Sequence, residues 1–212
     1  MEPQPSVWKS TLAEFDNQIT RGDAITGAVA VAAISAAFAV SVLRMVLEIT
    51  ARKRESESHR GQIQKLLDAA AIESERLRRT ADEDRDAYGA YRHASLLPKA
   101  TERERAERRD AMRATLQTAT EVPLRAARSA VKAMELCAEA ATLARGDVAA
   151  DIGGAAAILN GAVRAILNSV DANLRRIDDT GLATERRELD ERAGRYGERV
   201  REQIKEGGRP LL

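Results

Sequence analysis

Cysteine is almost missing from this 212-residue chain. Cys137 stands alone, so no disulfide can form within it and no thiolate cluster can hold a metal ion. That usage suits a reducing, cytoplasmic compartment. Histidine is scarce as well: with His59 and His93 alone, a histidine-rich metal site is excluded. Aromatic residues make up 3% of the chain, and they do not gather with β-branched residues into the short runs that strands require. Neither sign of charge prevails. Thirty-four lysines and arginines face 33 acids, a formal charge of +1, which argues against a dedicated nucleic-acid binder. The phosphate-cradling patterns GxxxxGK[ST] and GxGxxG are absent, as is the nucleophile pattern GxSxG.

What remains is rich in alanine, leucine, arginine and glutamate, all good helix formers. The sequence therefore predicts an all-α protein, a bundle of helices packed through small residues. Residues 1–9 read as a disordered tail, 10–206 as one domain and 207–212 as a C-terminal tail. Thr11 with Glu14 forms a capping box that opens a short helix, and Arg21, Gly22 and Asp23 read as a turn. Residues 24–43 carry no charge, the length of a membrane span, but eight of those twenty are alanine, which contributes little to insertion. A buried core helix is the preferred reading and a membrane anchor the alternative.

Beyond Arg52, Lys53 and Arg54 the chain becomes charged. Ile63, Leu67, Ala70 and Leu77 mark one amphipathic helix, and residues 81–94 a further one, ended near Leu97 and Pro98. Thr101 with Glu104 opens another, to about residue 118. A separate helix is expected from Thr120 with Pro123 in its first turn, capped after residue 144 by Gly146. The most regular stripe is Ile152, Ala156, Leu159, Val163, Ile166, Val170, Leu174 and Ile177, read as one buried helical face. A last helix carries Leu182, Leu189, Ala193, Tyr196, Val200 and Ile204.

Few features carry chemistry without help. Asp82, Glu83, Asp84 and Asp86 form an acidic run whose plain explanation is dipole complementation at a helix start. Asp151 suits an N-cap. Gly153 and Gly154 suit close helix packing. Asn160, Arg164, Asn168, Asp171 and Arg175 form a polar stripe that reads as a solvent face or the wall of a cleft. Lys53 and Arg54 suit a helix C-terminus or an anionic ligand.

Taken in order, these segments resemble the cyclodeaminase/cyclohydrolase family, which includes the cyclodeaminase domain of formiminotransferase-cyclodeaminase and bacterial methenyltetrahydrofolate cyclohydrolases. The likeness spans residues 10–179. It is carried by Ala81 through Tyr88 with its acidic run, by Leu97, Pro98 and Lys99, and by Ala119 through Leu124. Asp151 ahead of an Ala/Gly-rich helix, Asn168 late in it, and Met45, Val46, Thr50, Lys53 and Arg54 complete the set. The chain departs where the family has Pro-Gly-Gly-Gly-Ser: here stand Thr26, Gly27, Ala28, Val29 and Ala30, whose side chains are expected to narrow a ligand's approach. Glu48 falls on a family asparagine, Ser56 on a tyrosine, and Asn173 lies one position from a second late asparagine.

The resemblance implies long up-and-down helices, a homodimer, and the segment at 24–51 as a central buried helix, hence no membrane partner. It implies a one-carbon tetrahydrofolate as substrate, with no metal or redox cofactor. Asp84 and Asp151 would be the acid/base carboxylates, and Asn168 would orient substrate or water. Lys53, Arg54 and Lys99 would meet the glutamate tail, with Gly27, Glu48 and Tyr88 lining the site. Two alternatives stay open: the same scaffold recruited to a non-folate cyclisation, elimination or hydrolysis, motivated by the altered glycine loop, and a non-catalytic helical interaction protein.

Overall fold

A computed structural model describes residues 6–21, 27–144 and 148–207, among which there are six α-helices and no strand. They are α1 (Leu12–Thr20), α2 (Ala28–Ala51), α3 (Arg60–Ser95), α4 (Glu102–Leu143), α5 (Val148–Leu174) and α6 (Thr180–Gly207). Helices α2 to α5 form an up-down-up-down bundle in which α2 and α4 lie on a diagonal, and α6 packs along α4 and α5. Both predicted capping boxes are present: Thr11 with Glu14 opens α1, and Thr101 with Glu104 opens α4.

Alanine sets the packing. Ala33, Ala36 and Ala39 on α2 and Ala126, Ala130 and Ala133 on α4 are fully buried, so the helices approach closely. Leu43, Leu47, Ile63, Leu77, Leu124, Met134, Ile152 and Ile166 fill the space between them. Helices α2 and α5 are long and apolar enough to cross a membrane, and 61% and 44% of their apolar windows are buried against the bundle. The expectation of α2 as a buried central helix holds for its inner faces alone. Its outer stripe, Val31, Ser35, Phe38, Val42, Met45 and Ile49, is half-buried or exposed, with Phe38 edge-on to the Trp8 ring at 5.7 Å between centroids.

Two expected helix breaks do not occur. Residues 60–95 form one helix of 36 residues, and nothing at 78–81 stops it; Thr80, buried, returns its hydroxyl to the Arg76 carbonyl at 3.0 Å. The acidic run therefore sits in the middle of α3 and has no helix N-terminus to complement. Likewise α4 runs through Pro123 for 42 residues. Proline has no N–H for the carbonyl four residues earlier and its ring crowds that carbonyl. The structure answers this from outside the helix: Asn173 on α5 donates its amide to the Ala119 carbonyl at 2.9 Å. One tertiary hydrogen bond thus replaces the missing intrahelical one.

The N-terminal tail expectation is corrected at residues 6–9. Val7–Lys9 form a 3₁₀ turn with Val7 buried. The Val7 N–H donates to Asp82, the Trp8 indole N–H donates to the Arg78 carbonyl, and the Arg78 guanidinium lies 3.9 Å from the Trp8 ring centroid. The turn at 21–23, the start of α2 at 24 and the cap at Gly146 fall wholly or partly outside the described residues. Gly153 fits the packing reading, since a Cβ there would lie 2.8 Å from Ile204 of α6, whereas Gly154 faces open space.

Candidate active site

The antiparallel arrangement brings the start of α2, the later part of α3, the middle of α4 and the end of α5 to one level of the bundle. There they enclose a cleft of about 360 Å³, within the usual range for small-molecule sites. Gly27, Ala28 and Val29 form one wall, Asp84, Tyr88 and Tyr91 a second, Leu116, Ala119 and Pro123 a third, and Ser169, Ala172, Asn173 and Arg176 the last.

The acidic run on α3 is sorted by its partners. Asp82 accepts the Val7 N–H, Glu83 pairs with Arg125 at 2.9 Å, and Asp86 lies 3.5 Å from Arg85. Asp84 has no hydrogen-bond or ion-pair partner among the described residues, and it faces the cleft. Burial raises its pKa from 3.8 to about 6, because the charged form has lost water without gaining a counter-charge. A carboxyl poised there can hold or release a proton near neutral pH.

The other walls supply polar groups. Gly27, the N-cap of α2, has no side chain to cap it, and among the described residues no other side chain caps the first N–H groups of the helix. Gly27 itself is extended, with φ −123°, so the backbone here does not demand glycine. Asn173 spends its amide N–H on Ala119 and keeps its amide oxygen as an acceptor. Arg176 donates to the Tyr91 hydroxyl and lies 5.1 Å from that ring's centroid.

A family match decides what scaffold this is: the sequence pattern described as Formiminotransferase-cyclodeaminase covers residues 11–191. The chain belongs to the formiminotransferase-cyclodeaminase family. It is 31% identical over 206 residues to the methenyltetrahydrofolate cyclohydrolase of Methylorubrum extorquens, covering 92% of this chain and 96% of that protein. Its fold matches the crystal structure of formiminotetrahydrofolate cyclodeaminase from Thermotoga maritima with a TM-score of 0.84. That match covers 94% of this chain and 98% of the other at 20% identity.

Within this family member the sequence-predicted residues separate into groups. Gly27, Asp84 and Tyr88 come together in the cleft, and Ala28 and Val29 line it beside Gly27. Asp151 does not join Asp84 within the chain. It lies exposed in the first turn of α5, 18 residues before Ser169 and so about 27 Å away along the helix. Glu48, Lys53 and Arg54 lie at the C-terminal end of α2, at that same distant end of the bundle. Lys99 is exposed in the α3–α4 connection. Asn168 is exposed one turn before Ala172 and is not part of the cleft wall.

Several cleft residues escaped the sequence reading. Tyr91 carried a signal, since 84, 88 and 91 share one helical face. Asn173 was marked only by its nearness to a family asparagine and Arg176 by nothing, because their roles depend on Pro123 and Tyr91 from other helices. His93 is exposed at the end of α3. Among the described residues no group of three or more His, Cys, Asp or Glu side chains is placed to hold a metal ion.

Proposed function

We propose that this protein is a one-carbon tetrahydrofolate enzyme, acting as a methenyltetrahydrofolate cyclohydrolase in the cytoplasm. The observation that carries the reading is the unpaired, half-buried Asp84 in an open cleft, in a chain 31% identical to a methenyltetrahydrofolate cyclohydrolase along most of its length. In this reaction water adds to the cationic methenyl carbon, one carbon–nitrogen bond breaks, and a proton is released. Asp84 as carboxylate attracts the delocalised cation. It takes a proton from the attacking water and returns it to the departing nitrogen, roles that a pKa of about 6 suits. The uncapped start of α2 and the Asn173 amide oxygen orient the ring's polar edge, and Tyr88 and Tyr91 offer faces for it to lie against.

The distant group, Asp151 with Glu48, Lys53 and Arg54, enters this reading through a second copy of the chain. The exposed stripe on α2 continues across Ile158, Gly161 and Ala165 of α5 as an uncharged surface, the kind of face that marks a protein interface. A two-fold partner laid antiparallel on it would carry its own Asp151 end toward this chain's cleft. The interaction-protein reading is less well supported, since Asp84 is neither salt-bridged nor in a filled cleft. The test is hydrolysis of methenyltetrahydrofolate by the wild type and by Asp84→Asn. General acid–base loss predicts a fall in kcat of at least ~100-fold with KM little changed. An unchanged kcat refutes the role of Asp84.

A further inference from the structure

The turn Val7–Lys9 contributes no side chain to the cleft, yet it is fastened to two of the helices that form it. It is closed on itself. The Trp8 N–H donates to the Ser6 hydroxyl at 3.3 Å, and the Lys9 and Ser10 N–H groups donate to the Ser6 and Val7 carbonyls at 3.0 and 3.2 Å. On α3 it is held by the Val7 N–H, which donates to the Asp82 carboxylate at 2.9 Å, and by the Trp8 indole N–H, which donates to the Arg78 carbonyl at 2.8 Å. The first of these is charge-assisted, and the buried Arg85 guanidinium lies 3.6 Å from the same carboxylate. On α2 the contacts are apolar. Val7 is buried with Ala30 and Ile34 of α2 and Ala81 of α3 in a small cluster apart from the main core, and Trp8 and Phe15 pack against it.

These contacts lie one helical turn from the chemistry. Ala81 precedes Asp84 by three residues and Tyr88 by seven, so the three share a face of α3. On α2, Ala30 follows Gly27 by three residues. At 1.5 Å per residue the cluster is about 4.5 Å along each helix from the walls of the cleft. Ala30 and Ala81 are fully buried, and their small side chains let α2 and α3 approach closely. The first turn of α2 has no side-chain cap, and Ala28, Val31 and Ala32 border an open apolar groove on its other side. On the α3 side, this end of α2 is held through the small cluster that the turn completes.

We propose that the turn Val7–Lys9 is a positioning element for Asp84: it clamps the start of α2 to α3, and so fixes the width of the cleft and the water that reaches the carboxylate. Val7 and Trp8 act through Ala30, Ile34 and Ala81 and touch no substrate. Loosening the clamp lets the Gly27–Val29 wall move outward, and water then restores the hydration that burial has removed from Asp84. The other titratable or charged groups lining the cleft are Tyr88 and Tyr91 on α3 and Arg176 on α5; α2 and α4 present none among the described lining residues. On α3 itself, Glu83 is paired with Arg125, and Arg85 lies between Asp82 and Asp86. Val7 and Trp8 carry no charge, so replacing them reaches Asp84 through spacing and water alone. The role concerns Asp84 whatever the substrate and goes beyond the folate reading of the cleft.

The experiment titrates the Asp84 carboxyl by carbon NMR in the wild type, in Trp8→Ala, and in the milder Trp8→Phe and Val7→Ala, each shown to be folded by circular dichroism. In the wild type burial holds the group at about 6. In Trp8→Ala it is expected to hold its proton at least ~5-fold less tightly, moving toward the ordinary carboxylate value, with Trp8→Phe and Val7→Ala in between. With methenyltetrahydrofolate, the acid limb of the kcat profile moves to lower pH in step, and KM rises at least ~3-fold as the cleft widens. A merely destabilised chain loses active protein instead, which lowers kcat and leaves the acid limb and KM in place; that result overturns the proposal. Trp8→Phe and Val7→Ala carry the decision where Trp8→Ala does not fold. Absence of turnover by the wild type is the separate failure of the folate reading, and the titration alone then judges the clamp. An Asp84 titration that is the same in every folded variant overturns it.

Discussion

At the Pro123–Asn173 pair the size of one substitution's effect should depend on a residue to which it makes no hydrogen bond. Asn173 donates to the Ala119 carbonyl because Pro123 cannot. Asn173→Ala removes that donor and leaves a partly buried carbonyl unpaired, which costs about 1–2 kcal/mol at this degree of exposure. For a chain of this size that lowers Tm by roughly 2–8 °C. In a Pro123→Ala background the new N–H at 123 can close the ordinary helical bond to Ala119, so the same Asn173→Ala change then costs less than ~0.5 kcal/mol. The coupling of about 1 kcal/mol is measurable by urea unfolding of the four proteins in a double-mutant cycle. Pro123→Ala by itself mixes regained helix propensity with lost packing of a buried ring, so its own sign is not the readout. If Asn173→Ala costs the same in both backgrounds to within ~0.3 kcal/mol, the explanation of how α4 passes through a proline is wrong.

Other outcomes follow from single groups. The native chain holds the Asp84 proton more tightly than an unfolded one, since its pKa rises from 3.8 to about 6. Stability from this group is thus present below about pH 4 and is lost as pH rises through about 6, an effect of at most ~3 kcal/mol. Asp84→Asn should therefore be more stable than the wild type at pH 8 and nearly equal to it at pH 4, and chemical denaturation at the two pH values checks both. Burial pushes the Cys137 thiol up to about 12, so a thiol reagent at pH 8 should label the native protein at least ~100-fold more slowly than the urea-unfolded chain. Gly161 is exposed with open space at its Cβ position. In a lone chain Gly161→Leu is neutral or stabilising, but on the proposed two-fold interface it should shift the protein toward monomer in sedimentation. Unchanged association would remove that surface from consideration.

Much of the architecture was legible because helix signals are local. The two Thr–Glu capping boxes, the alanine-rich inner faces and the stripe from Ile152 to Val170 each declare themselves within a few residues. The misread boundaries share a cause that is not local. A proline preceded by Thr120 and Glu121 looks like a helix start, and only a side chain 50 residues later, Asn173, makes it an interior position. The acidic run looked like an N-terminal turn until α3 proved continuous through it. At the site, Gly27, Asp84 and Tyr88 were legible through the family resemblance, and the bundle brings all three to one level. The linear resemblance placed Asp151, Glu48, Lys53 and Arg54 beside them, yet chain order says nothing about which end of a 27-residue helix meets which neighbour. The unpaired state of Asp84, which separates it from Asp82, Glu83 and Asp86, depends on Val7, Arg125 and Arg85 and had no sequence signature.

The uninterrupted course of α4 has a mechanical consequence. Leu116, Ala119 and Pro123 of the cleft are mounted on a single rod of 42 residues, about 63 Å long. A rod of this kind bends little over the span of the cleft, so the wall it forms is the stationary jaw. Adjustment to molecules of different girth must fall to the opposing jaw, formed by the beginning of α2 and the end of α5. There Ala28, Val29, Ala172 and Arg176 stand across the cleft from α4.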